Sequence, residues 1–343
     1  MSERIRVLVV DDSAFARKVL RLALSADARV EVVGTATDGL DALEKIDALR
    51  PDVITLDLVM PYLDGVGLLR EMALLHHRPR VVLVTISDSD SELTIEALQL
   101  GAVDLVKKPT ALASDRLYEL AGELVEKVVA AAASRPPPSA PGAFATHALH
   151  GSRATSVRAV VIGTSTGGPQ ALTLLLSRLP SDFPAPIAIA LHIPVEYTEA
   201  LAKRLNQGSA LDVVEAHDGL RLRAGQVVIA RGGAHLTLHH DAAGAFARVS
   251  SLPLSSLYYP SVDLLFESAA QTFGEGVLGV VLTGMGDDGL VGARAIVAAG
   301  GRVLTEAEAS AVVYGMPRVV KEAGLSSAEA PMSEMANAIL RSL

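Results

Sequence analysis

The 343-residue chain contains no cysteine, which excludes disulfides, thiolate nucleophiles and zinc–thiolate sites at once. It has no apolar run of about 18 residues or more, the length that a membrane-spanning helix requires, so no insertion into a membrane is expected. It lacks a basic excess: 30 Lys and Arg face 39 Asp and Glu, for a net charge of −9 and a pI near 5.5. A nucleic-acid-binding face must neutralise phosphates, so this balance argues against such a partner. The opening residues, MSERIRVLVVDD, run straight into a strand-like segment without the apolar core of a signal peptide. The expectation is a cytoplasmic protein. At this length the prior is about two domains, each able to bury its own core.

What is present divides in two. An amphipathic stretch, residues 114–133, is followed by SRPPPSAPGAFATHALHGSRATS at 134–156, where Pro136–Pro138 cannot continue a helix and favour an extended linker. Before it, the apolar runs at 6–10, 30–34, 52–56, 80–85 and 102–108 alternate with helix-period segments, which implies a parallel sheet with helical crossovers. Loops at the carboxyl ends of such strands build the site. Asp11 and Asp12 follow the first run, Asp57 follows the third, Thr85 ends the fourth and Lys108 ends the fifth. Clustered carboxylates need a cation, and hard oxygen ligands suit Mg²⁺. One acid facing that ion is a phosphoryl acceptor, with Thr85 and Lys108 placed to hold the incoming oxygens.

In these residues, DDS at 11–13, LDLVMPYLDG at 56–65 and KKP at 107–109, residues 4–125 resemble a response-regulator receiver domain. The resemblance implies a flavodoxin-like fold, Asp57 as phosphoacceptor, Asp11, Asp12 and Asp57 as the Mg²⁺ groups, and Thr85 and Lys108 as switch residues. Two positions depart from that pattern: Leu105 where an aromatic residue is common, and Val59 where a polar or acidic one is.

After the linker, VVIGTSTGGPQAL at 160–172 sets Ser165 on a bend between a strand and a helix. A Walker loop is missing its lysine, because Pro169-Gln170 follows Gly168, and a dinucleotide turn is missing its central glycine. The bend therefore reads as a mount for a nucleophile, with the helix N-terminus supplying free N–H groups. A serine needs a base and the base needs an orienting acid. His192 ends the apolar run 185–191, a buried parallel strand, and is separated by this from histidines in loops or in the turn-rich region of about 209–252, which reads as hairpins. The strand and glycines of GVLGVVLTGMGDDGL, 276–290, carry Asp287 and Asp288. One of these is expected to cap the following helix. Spacing alone leaves open which one reaches His192.

Residues 157–343 are similar nearly end to end to the catalytic domain of chemotaxis protein-glutamate methylesterases, the CheB family, in IGTSTGGPQAL (162–172), HIP with YTEALAKRLN (192–206), PSVDLLFESAA (260–270), LTGMGDDG (282–289) and EASAVVYGMPR (308–318). The resemblance implies Ser165, His192 and Asp288 as the catalytic set and the backbone N–H of Met285 as an oxyanion donor. The implied fold is a doubly wound, Rossmann-like parallel sheet with a hairpin insertion. It also implies glutamate methyl esters of methyl-accepting chemotaxis proteins as substrate, deamidation of receptor glutamines as a second reaction, no cofactor for the esterase, and a histidine kinase as phosphodonor. Tyr258-Tyr259 stand where basic residues are usual, and Arg231 replaces a usual proline. A receiver followed by a DNA-binding or non-enzymatic output module is the competing reading. The C-terminal half offers it no compact helix-turn-helix or basic recognition helix.

Overall fold

The computed structural model describes residues 4–85, 91–108, 114–134, 157–252 and 256–343, with 114–120 as backbone alone. Most of the expected linker, including His147 and His150, and also Pro109, lie outside the described residues. The chain divides into two compact units, Met1–Ser134 and Arg135–Leu343.

In the first unit the five apolar runs are strands β1 (Ile5–Val10), β2 (Val30–Ala36), β3 (Val53–Leu56), β4 (Arg80–Thr85) and β5 (Asp104–Lys107). Helices α1 (Ala14–Ser25), α2 (Gly39–Leu49), α3 (Gly65–Met72), α4 (Ser91–Gln99) and α5 (Ser114–Ala133) alternate with them. The sheet order is β2-β1-β3-β4-β5, and every pairing is parallel. Helices cover both faces, so Val7 to Val10 and Val53 to Leu56 are buried without alternation, as parallel strands require. The order reverses between β1 and β3, which brings the loops after those two strands side by side.

The second unit contains β6 (Ala159–Thr164), β7 (Ile187–Leu191), β8 (Asp212–Glu215), β9 (Gln226–Ile229), β10 (His235–Asp241), β11 (Gly244–Ser250), β12 (Val277–Val281), β13 (Arg302–Glu306) and β14 (Ala328–Ala330). Its helices are α6 (Gly168–Leu176), α7 (Val195–Gln207), α8 (Val262–Phe273), α9 (Leu290–Ala298), α10 (Met316–Glu322) and α11 (Met332–Leu340). Seven strands form one parallel sheet ordered β14-β13-β12-β6-β7-β9-β8, and β10 pairs with β11 as a separate antiparallel hairpin.

The expectation of hairpins throughout 209–252 therefore needs correction. β8 and β9 pair in parallel and extend the main sheet; the hairpin is confined to β10 and β11. All four residues of β9 are buried, including Gln226, and such a run carries no alternation to separate the two geometries.

Helix α8 shows why this region assembles. Val262, Leu265, Phe266, Ala269, Ala270 and Phe273 recur at helical spacing and are all buried. Each large apolar side chain so buried contributes about 1.5–3 kcal/mol. The polar residues between them tie down the hairpin: Leu238 N–H donates to Ser268 Oγ (3.0 Å), and Thr272 Oγ1 donates to Leu238 O (2.7 Å). Among the described residues no helix is long and apolar enough to cross a membrane.

Candidate functional site

Strands β12, β6 and β7 are neighbours in the second sheet, so the loops leaving their carboxyl ends form one rim. Ser165 follows β6 directly. Its N–H donates to Thr283 O (3.1 Å), and its carbonyl accepts from Gly168 N (2.7 Å), which turns the chain into α6. Gly167 makes that turn at φ +79°, a left-handed conformation that side chains disfavour. The loop after β12 lies flat against the serine. A Cβ at Gly284 would stand 2.9 Å from Ser165 Cβ and 2.3 Å from Met316 Sδ, so only glycine allows the approach. The next residue is Met285, whose N–H meets no acceptor among the described residues.

His192 follows β7, and its N–H donates to Thr164 O (3.2 Å). Its Nε2 lies 2.8 Å from Asp288 Oδ2. Asp288 is 3 % exposed, whereas Asp287 is exposed. The Asp288 carboxylate accepts from Val262 N (2.7 Å), Asp263 N (2.9 Å) and Ser261 Oγ (3.2 Å) as well. Burial alone would raise its pKa, but the hydrogen bond and charge of His192 and the two N–H groups outweigh burial and hold it below the ordinary carboxylate value. Asp288 is thus an anion fixed on one side by the N-terminus of α8 and on the other by the imidazole.

Neither aspartate caps α9 with its side chain, contrary to the expectation from sequence. The N-cap there is Gly289. Asp263 Oδ1 instead accepts the N–H groups of Gly289 (2.9 Å) and Gly292 (2.7 Å). The reason is geometric: α8 and α9 pack side by side, and each supplies the acid that the other's first turn needs.

In the first unit, Asp57 is 5 % exposed at the end of β3 and Asp11 is fully buried at the end of β1. The Lys108 ammonium lies 2.7 Å from Asp11 Oδ2 and 2.6 Å from Asp57 Oδ2. Burial raises the Asp57 pKa; Lys108 opposes it, Asp11 reinforces it, and the balance is upward. Asp12 is exposed beside them, and one oxygen from each of the three acids falls within 4.8 Å of the others. Three convergent carboxylates, all hard oxygen donors, fit a divalent cation such as Mg²⁺. Thr85 is 2 % exposed at the last position of β4, and its carbonyl accepts from Lys108 N (2.7 Å).

Four further residues around the rim of the second sheet escaped the motif reading. Ser261 is the N-cap of α8, and a serine with an acid two residues on is a helix-start signal that could have found it. Asp263 is the acid of that same signal, whereas Glu306 carries none. Tyr258 stands out in sequence only as a departure from the family pattern; in the fold its ring stacks on His192 at 4.6 Å between centroids and 4° between planes.

Residues 160–339 match the CheB methylesterase family, and residues 7–120 match the response regulator receiver domain. The chain is 62 % identical over 334 residues to the protein-glutamate methylesterase/protein-glutamine glutaminase 5 of Myxococcus xanthus, with 96 % of each chain covered. It is 44 % identical to the protein of that name from Symbiobacterium thermophilum, over 100 % of this chain and 99 % of the relative. The crystal structure of the Thermotoga maritima CheB methylesterase catalytic domain is similar at 36 % identity and a TM-score of 0.53, covering 55 % of this chain and all of that one. On the extent of these matches and the shared parallel α/β fold, the chain belongs to the CheB methylesterase family and carries a receiver domain ahead of the family's catalytic domain.

Proposed function

We propose that this protein hydrolyses glutamate methyl esters on methyl-accepting chemotaxis proteins, with Ser165, His192 and Asp288 as its triad. The carrying observation is the 2.8 Å bond from His192 Nε2 to a buried, anionic Asp288, at a rim that Ser165 shares. Asp288 accepts from Nε2–H, which leaves the lone pair on Nδ1. Nδ1 is therefore the base that takes the Ser165 proton, the reverse of the more familiar triad assignment. Ser165 Oγ attacks the ester carbonyl, and the Met285 N–H donates to the oxyanion, a contact usually worth about 3–4 kcal/mol. The imidazolium gives its proton to the departing methoxide, which leaves as methanol, and a water activated by the same Nδ1 then cleaves the acyl–Ser165 ester to free the glutamate and restore the serine hydroxyl. A glutamine side chain enters the same sequence with ammonia as leaving group.

Around this chemistry the proposed organisation is a receiver at 4–125, a linker at 134–156 and the catalytic domain at 157–343. Asp57 accepts a phosphoryl group from a histidine kinase in the cytoplasm, with Thr85 and Lys108 binding its oxygens. Asp11, Asp12 and Asp57 would hold Mg²⁺, which when bound neutralises the charge that builds on the phosphoryl oxygens. The test is methanol release from methylated receptor, with and without Ser165→Ala. A transcriptional or non-enzymatic regulator would release none in either form.

A further inference from the structure

We infer that Tyr258 is a positioning residue of this active site, its ring serving as a flat wall that holds the His192 imidazole in the plane of Asp288. The inference rests on the triad reading and adds a part that the triad does not contain. The hydrogen bond to Asp288 fixes one atom of the imidazole, and rotation about that axis stays open. A second ring 4.6 Å away and within 4° of parallel closes it. The same ring spans the rim. Its hydroxyl lies over Gly286, where a Cβ would stand 2.7 Å from the phenol oxygen, so it packs on the loop that carries Met285. One side chain thus touches both the base and the loop of the oxyanion donor.

The backbone that carries the ring is itself held in place. Tyr258 N–H donates to Ser256 Oγ (3.3 Å), and Ser256 Oγ donates to Tyr258 O (2.9 Å). The neighbouring Tyr259 packs its ring on buried His235 at 4.5 Å and accepts Gly233 N–H at its carbonyl (3.3 Å). Ser261 follows, and with it the α8 N-terminus that grips Asp288. Residues 256–263 therefore deliver a wall to the imidazole and three donors to its partner. Burial and the charges of Asp287, Asp288 and Asp263 push the phenol pKa upward, so the ring remains neutral. A neutral π face favours the imidazolium over the imidazole, and the imidazolium forms only on the way to the tetrahedral intermediate. The stack is accordingly expected to act on kcat and not on KM.

The experiment compares full-length wild type, Y258L, Y258F and S165A in methanol release from methylated receptor, with kcat and KM separated. Y258L is expected to lower kcat by about three- to thirtyfold with KM within about twofold of wild type, the range of a cation–π contact. Y258F keeps the stack and is expected to recover most of that loss. A readout independent of turnover is the proton NMR of His192: its ring protons are shifted by the ring current in wild type and Y258F, and lose that shift in Y258L. Equal kcat in Y258L and wild type, an equal loss in Y258F and Y258L, or a change confined to KM would each overturn the inference. If S165A still releases methanol at the wild-type rate, it is the triad reading that fails. Loss in S165A with none in Y258L removes the wall alone.

Discussion

Asp288 and Asp263 exchange helices. Asp288 stands just before the N-cap of α9 yet accepts the N–H groups of Val262 and Asp263 at the start of α8, while Asp263, in the first turn of α8, accepts those of Gly289 and Gly292 at the start of α9. Each helix dipole therefore presents its positive end to a carboxylate borne by the other. One of those carboxylates also meets the His192 imidazole, so the packing of two helices and the aim of His192 are a single structural fact.

The exchange sets a pH dependence. Burial, with the negative charge of Asp288, raises the Asp263 pKa to about 6. A raised acid binds its proton more tightly in the folded state, so stability declines as pH climbs from about 4 through about 6. Asp263→Asn keeps an oxygen for both N–H groups and removes the repulsion. It is expected to be more stable than wild type at pH 7.5 by about 1 kcal/mol after allowance for solvent screening, to keep about half of that advantage at pH 5 and to lose it near pH 4. Asp263→Ala loses the acceptor and should be less stable at both pH values. Melting curves of the three proteins at both pH values decide it; an unchanged pH 7.5 difference at pH 5 would remove the ionisation from the account.

The proposed triad makes a sharper demand. Ser165→Ala, His192→Ala and Asp288→Asn should each lower methanol release by about 10⁴-fold or more, and the double variants should lose little beyond the singles, because the three groups act as one unit. Asp287→Asn, at an exposed position without contact to His192, should stay within about twofold. Ser261→Ala removes an N-cap and one donor to Asp288; it is expected to cost about 1 kcal/mol of stability and to reduce turnover far less than Asp288→Asn. Additive losses in the doubles would dissolve the unit.

Much of this arrangement was legible in the sequence, for reasons that particular residues show. Parallel strands buried on both faces leave unbroken apolar runs, so β1, β3, β6 and β7 could be placed along with the site residues that follow them. The bend at Ser165 declared itself because it lacked the lysine and glycine of the phosphate loops. Other features depend on contacts that no local pattern records. The parallel pairing of β8 with β9 leaves the same run as an antiparallel one would. The choice of Asp288 over Asp287 came from family resemblance, because its physical cause, the N-terminus of α8, lies far off in the chain. The stack of Tyr258 on His192 is a tertiary contact of the same kind.

At the receiver pocket the expectation concerns metal and phosphate together. With Mg²⁺ and a small acyl phosphate, the wild-type chain should take up one phosphoryl group. Chelation of the metal should abolish uptake, since Lys108 alone leaves the clustered acids undercompensated against an incoming dianion. Asp57→Asn should take up none under any condition, and its methanol release should not respond to the donor. Labelled-phosphate incorporation measured beside methanol release checks both statements; a response to donor in Asp57→Asn would place the acceptor elsewhere.

Behind Ser165 stands Glu306. Its Oε2 accepts Thr283 N–H (2.8 Å) and its Oε1 meets Ser310 Oγ (2.8 Å). Thr283 in turn holds Ser165 N at its carbonyl (3.1 Å), so the acid lies two contacts from Ser165. Burial pushes its pKa up to about 7 against the two hydrogen bonds, which pull it down. The folded state therefore keeps a proton that the unfolded chain releases near pH 4.5. Stability is undiminished below about pH 4.5, declines as pH rises from there to about 7, and levels off above it, with a total loss of about 3 kcal/mol at most. Glu306→Gln reproduces the protonated form. Its carbonyl accepts from Thr283 N, its amide donates to Ser310 Oγ, and that hydroxyl turns to the Ala307 carbonyl, which it already approaches at 3.3 Å. The variant is expected to match wild type near pH 5 and to melt several degrees higher at pH 8. A constant offset between the two proteins from pH 5 to 8 would show that Glu306 holds its place without titrating.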